Sequence, residues 1–188
     1  MVFAVRSQVP PLKKYLRELL VTSSDFDSAS LLCYFPDMAI EVSSPAFESG
    51  GAIPKQYTGE GRDISPPLIW RGVPEGTKEI ALICDDPEAP RAEPWVHWVV
   101  YKIPTNVTGF DEGSTQGGAL EGKNDFGTPG YGGPLPPKGH GVHHYHFKVY
   151  ALDAELEAAA GLTKDQLLEA MEGHILDEGE LVGTYERK

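Results

Sequence analysis

CDDPEAPRAEPWVHWVVYKIP, residues 84–104, and GGPLPPKGHGVHHYHFKVYALD, residues 132–153, decide how this chain is read. Each sets a proline-punctuated loop beside a run rich in β-branched and aromatic residues, the composition of a strand. Side chains alternate between the two faces of a strand. On 143–151 one face carries His143, Tyr145, Phe147, Val149 and Ala151. It is the more apolar face and should meet the core, with His143 and Tyr145 at its end, under the proline loop. His144 and His146 should lean outward. On 80–86 the row Ile80, Leu82, Cys84, Asp86 ends in a carboxylate, which needs a partner because a bare buried charge is expensive. On 96–103 the rows are His97, Val99, Tyr101, Ile103 and Val96, Trp98, Val100, Lys102. Both are largely apolar, which predicts a strand covered on both sides. Singly, each of these groups has a plain structural role: a bonded core histidine, an Asp-Pro turn, a rigid connector. Jointly, two histidines and an aspartate at the ends of neighbouring strands, beside two proline loops, point to one pocket.

Working outward, the reading is mostly β. Strands are predicted at 39–42, 79–85, 96–103, 143–152 and 180–186. One helix is well signalled. Thr163 with Gln166 three residues on is a capping box. Leu167, Leu168, Met171 and Ile175 follow at helical spacing, with Gly161 and Gly179 as brackets. Between Gly113 and Gly141 lie ten Gly and four Pro. This long stretch without strand or helix patterning reads as a functional loop and a pocket wall, with tight turns at Asn124, Asp125 and Gly127.

Residues 1–37 hold four basic and four acidic residues, so the net charge of -12 lies in 38–188. The first segment has one amphipathic pattern, at 12–20. It reads as an extension outside a single domain at 38–188, either flexible or translated from a misassigned start. The acidity argues against nucleic acid or an anionic membrane surface as partner. No apolar run approaches the roughly 18 residues of a membrane span and no signal-peptide core is visible, so stable membrane insertion is not expected and the expected location is cytoplasmic. Cys33 and Cys84 do not make a disulfide framework; Cys84 reads as a small buried thiol.

The two stretches resemble the two signature regions of the phosphatidylethanolamine-binding protein family, also called Raf-kinase-inhibitor proteins. Asp86-Pro87-Glu88-Ala89-Pro90 and Trp95-Val96-His97 match the first region. Pro136-Pro137-Lys138-Gly139 and His143-His144-Tyr145 match the second. SPAFESGGAIPKQYTGEG (44–61), SPPLIW (65–70), GKNDFGTPGYGGP and MEGHILDEGELVGTYER are similar to the bacterial and archaeal branch, the YbhB/YbcL type. The resemblance implies an antiparallel β-sandwich-like fold with a few peripheral helices. It also implies a small pocket for phosphate or a phosphoethanolamine head group, lined by Asp86, Glu88, Pro90, Trp95, His97, Pro136, His143 and Tyr145. A homodimer and a kinase or protease as regulated partner are implied as well. No cofactor is. Glu88 stands where the family usually has Asp, Leu135 where a small residue is common, and His144 where many relatives have Arg.

Two like charges about 4 Å apart repel by roughly 4 kcal/mol at an effective dielectric of 20, so carboxylates in an anion pocket need separate roles. Asp86 is expected to hold a histidine, Glu88 to receive a ligand ammonium, and His97 and His143 to donate to the phosphate. The rival reading is an enzyme. His140, His143, His144 and His146 crowd seven residues, which suggests a metal or acid–base site. Against it, His143 points away from His144 and His146, no carboxylate follows on the strand, and no nucleophile is evident. A binding protein, not an enzyme, is expected.

Overall fold

The computed structural model describes residues 39–188. Expectations for 1–37, the 12–20 helix and Cys33 fall outside them. The strands are β1 (Glu41–Ser43), β2 (Leu68–Arg71), β3 (Glu79–Asp86), β4 (Trp95–Ile103), β5 (Gly109–Phe110), β6 (Leu120–Glu121), β7 (Val142–Leu152) and β8 (Ile175–Glu186). Among the described residues there is one α-helix, α1 (Lys164–Met171), and one 3-10 turn, Lys55–Tyr57. All pairings within the two sheets are antiparallel. The sheets run β1-β2-β5 and β6-β4-β3-β7-β8.

The sandwich follows from where the apolar rows point. Ile80, Leu82 and Cys84 of β3 and Phe147 and Val149 of β7 pack with Val42, Leu68, Trp70 and Phe110 of the small sheet. The opposite face, Ala81, Ile83, Tyr150 and Leu152, is covered by Leu156, Leu167 and Met171. Every residue of β3 is therefore buried. The His143–Ala151 row faces the first core as its alternation predicts, while Tyr150 and Leu152 are buried on the other face because α1 lies over them.

Strict alternation fails on β4, and both failures are β-bulges, where an extra residue re-aims the side chains that follow. Cys84 pairs with Trp98 but Asp85 pairs with Val96, so His97 is the extra residue. It leaves the row of Val99 and Tyr101 and joins the side of Trp98. Near the other end Ile80 pairs with Ile103 and Leu82 with Val100. Lys102 takes a φ of 55° there, and Ile103 crosses to the first core while Tyr101 stays in the second. Glu79, itself buried, accepts from Lys102 N–H at 2.8 Å and from Leu156 N–H at 2.9 Å.

The capping box forms: Thr163 accepts from Gln166 N–H, and the Gln166 side chain returns to Thr163 N–H. The helix nevertheless ends at Met171. Ile175 is not its last apolar contact but the first residue of β8, paired with Leu152 and exposed. Gly179 brackets nothing. It pairs with Val149 inside β8, where a Cβ would come within 1.9 Å of the Ile40 carbonyl. The 113–141 stretch also has more order than its composition suggests, since β6 pairs with β4 inside it.

Two substitutions test the Lys102 bulge. Glu79→Ala leaves two buried N–H groups unbonded and is expected to lower the unfolding free energy by about 2–4 kcal/mol in urea melts. Lys102→Gly removes the left-handed penalty and is expected to raise it by about 1 kcal/mol.

Candidate functional site

The bulge at His97 and the β3–β7 register bring the predicted groups together at one end of the large sheet. Asp86, Pro90, Trp95, His97, Pro136, His143 and Tyr145 line a cavity of about 350 Å³, completed by Ala89, Phe126, Leu135 and Pro137. That volume is ordinary for a small-molecule site. A second cavity, about 450 Å³, adjoins the Lys102 bulge and contains none of the predicted site residues.

Asp86 holds a histidine, as expected. Its Oδ2 accepts from His143 Nδ1 at 2.7 Å and its Oδ1 from Glu88 N–H at 2.9 Å. A carboxylate only accepts, so the proton sits on Nδ1 of His143. The other ring nitrogen is also engaged: His143 Nε2 lies 2.8 Å from His140 Nδ1. His97 Nδ1 donates to the Gly132 carbonyl at 2.5 Å, and Gly132 N–H donates back to His97 O at 2.9 Å. Burial holds the His97 pKa below its usual 6.5, although the Gly132 carbonyl and Asp86 pull it upward. Neutral His97 keeps its proton on Nδ1, and its Nε2 is a lone pair.

Glu88 is the one predicted lining residue that the structure places elsewhere. It does not border the cavity. Its carboxylate turns to the outer face of β7 and accepts from His144 N–H and from His144 Nδ1, both at 3.0 Å. Burial raises its pKa, but these bonds outweigh burial and the net direction is down from 4.5. In this arrangement its carboxylate faces His144 and not the cavity, where the ammonium receptor was expected. His146 likewise leans outward, to Glu180 at 2.8 Å.

Two lining residues carry a buried donor atom with no hydrogen-bond partner at ordinary geometry, Trp95 Nε1 and the Tyr145 hydroxyl, and the hydroxyl lies within the influence of Asp86. Burial, and next Asp86, push the Tyr145 pKa far above its usual value, so the hydroxyl keeps its proton. Trp98 Nε1 is also unbonded but is not on this wall.

The sequence reading missed the residues that hold the wall in place. Arg91 donates to Glu93 O at 2.8 Å and Pro94 O at 2.7 Å, pairs with Asp125, and lies 4.8 Å over the Trp95 ring. Asp125 also accepts from Val96 N–H at 2.8 Å. This clamp sets Phe126 against Trp95, ring centres 5.3 Å apart, and Phe126 edges onto His97 at 5.5 Å. The turn signal at Asn124 did point here: Asn124 Oδ1 accepts from Phe126 N–H and Thr128 N–H. Leu135, expected at the mouth, lines the cavity and is 41% exposed. Among the described residues no group of three or more His, Cys, Asp or Glu is arranged to hold a metal ion.

Comparison with known proteins adds to this geometry. Residues 43–186 match the family model described as phosphatidylethanolamine-binding protein. A UPF0098 protein of Methanothermobacter thermautotrophicus is 48% identical over 153 residues, covering 79% of this chain and 99% of that one. A solved homologue of phosphatidylethanolamine-binding proteins from Chlamydia trachomatis is 44% identical with a TM-score of 0.76, covering 81% of this chain and all of the other. YbcL of E. coli, described as a member of the mammalian PEBP family, is 35% identical with a TM-score of 0.75, over 79% and 99% of the two chains.

Two measurements check the electrostatics. Asp86→Asn presents an N–H to the ring in place of an acceptor, so the His143 proton is expected to move from Nδ1 to Nε2 in ring ¹⁵N spectra. The unfolded His97 ring titrates near 6.5 and the folded one lower, so the unfolded state binds more protons between the two values. Stability should be full above about pH 6.5 and fall as pH drops through that window. His97→Phe is expected to flatten this part of the urea-midpoint profile, leaving the fall below about pH 4.5 that comes with Glu88.

Proposed function

Because the chain belongs to the phosphatidylethanolamine-binding protein family, a family of ligand-binding proteins, we propose that its cavity binds a small phosphate-bearing molecule, either phosphate or a phosphoethanolamine head group. The observation that carries this reading is a pair of buried donors, Tyr145 O–H and Trp95 N–H, that belong to residues lining the cavity and have no hydrogen-bond partner at ordinary geometry. A buried donor without an acceptor costs about 1–3 kcal/mol, and a ligand oxygen recovers it. Asp86 serves as the group that orients His143 and not as a ligand contact. With Glu88 turned outward, an ammonium would meet Trp95 and Phe126, whose ring faces attract cations.

We propose a binding protein and not an enzyme. The acid–base alternative has one observation in its favour, the Asp86–His143–His140 chain. The cysteine beneath the site offers no nucleophile: Cys84 is buried and burial pushes its thiol pKa well up. The proposal is confined to the pocket; a kinase or protease partner and a homodimer would rest on outer surfaces. No helix among the described residues is long and apolar enough to cross a membrane.

Calorimetric titration with phosphate and phosphoethanolamine tests the reading. Saturable binding, weakened roughly 2- to 10-fold by Tyr145→Phe as expected for one hydrogen bond, supports it. An absence of heat at millimolar concentrations of both compounds refutes it.

A further inference from the structure

His140 was no part of the predicted pocket, yet it makes the contact that most constrains it. Its Nδ1 lies 2.8 Å from Nε2 of His143. His143 already gives its Nδ1 proton to Asp86. With one proton on the His143 ring, Nε2 is a lone pair, and His140 must be the donor. A buried ring on the cavity wall thus has no nitrogen left for a ligand.

A phosphate oxygen accepts hydrogen bonds. An unprotonated oxygen cannot approach the Nε2 lone pair of neutral His143, but the P–O–H of a hydrogen phosphate can donate to that lone pair, provided His140 is not already the donor there. One ring nitrogen serves one partner. The turn carrying His140 is built to leave. His140 is exposed. Gly139 and Gly141 flank it with φ of 72° and 94°, and a Cβ on either would meet nothing within 4 Å. Its backbone ties are long: Gly139 N–H to Arg187 O at 3.3 Å and His140 N–H to Pro137 O at 3.2 Å. The same turn continues into Pro136 and Pro137 of the cavity wall.

We propose that His140 is a positioning residue of the pocket: it donates to Nε2 of His143, and a hydrogen phosphate uses that ring, through its own P–O–H, only by displacing it. This rests on the phosphate reading above. His140 is then an internal competitor, holding the ring oriented until a ligand takes its place.

The test is a phosphate titration of the full chain, followed by calorimetry and by histidine-ring ¹⁵N spectra, with His140→Ala and His140→Asn. The alanine variant lacks the competitor and is expected to bind phosphate roughly 2- to 10-fold more tightly, the worth of one hydrogen bond. Asparagine keeps a donor near the Nδ1 position and should return affinity toward that of the native chain. In the native chain, saturation should move both the His140 Nδ1 and the His143 Nε2 resonances. Phosphate binding that leaves the His140 ring unmoved overturns the displacement while leaving the pocket reading intact. So does His140→Ala binding equally or more weakly. No binding by any of the three proteins removes the pocket reading and the displacement together.

Discussion

Strand β3 has no exposed residue, and the rest of the described fold is arranged to keep it so. Burial on both faces demands a layer on each side: the three-stranded sheet over Ile80, Leu82 and Cys84, and α1 with the preceding loop over Ala81 and Ile83. Its backbone groups must also be paired, which places β4 along one edge and β7 along the other. The polar residues at its ends then have only specific partners available. Glu79 satisfies the bulge at one end, Asp85 takes Lys148 and Lys164 from the helix side, and Asp86 takes His143 from the cavity side.

The pocket grows from the irregularity in this frame. A regular β4 would turn His97 away from Tyr145. The bulge opposite Cys84 and Asp85 turns it back, where its ring stands nearly perpendicular to Tyr145 at 5.1 Å between centres. Gly132 then receives His97 through two hydrogen bonds, which ties the 113–141 loop to the sheet and brings its proline segment over the cavity. One extra residue in one strand therefore positions both the floor and the roof of the site.

The charges are sorted by what each can reach. Two neighbouring carboxyl groups, Asp86 at the end of β3 and Glu88 in the loop that follows, serve opposite faces of β7: Asp86 holds His143 on the inner face, Glu88 holds His144 on the outer. This removes the conflict of two carboxylates in one pocket that the sequence alone presents. Beside the Asp86–His143 pair, the polar groups of the lining are Tyr145, Trp95 and a lone pair on His97.

The sequence by itself determined the family, the mostly β character, the four long strands and seven of the eleven residues that line the cavity. It could do so because alternation on β3 and β7 is local and because the two signatures sit at strand ends. It also determined the capping box of α1, which involves residues three apart. Tertiary structure decided the rest. Short strands β2, β5 and β6 carry too few residues for a periodic signal and exist only as pairing partners. Ile175 stands at helical spacing, but pairing with Leu152 won over another helical turn. Gly179 looks like a terminator until the Ile40 carbonyl is placed against it. The side of His97, the outward turn of Glu88 and the contact of His140 with His143 all depend on register between segments far apart in the chain, and register is a property of the packed sheet, not of any one strand.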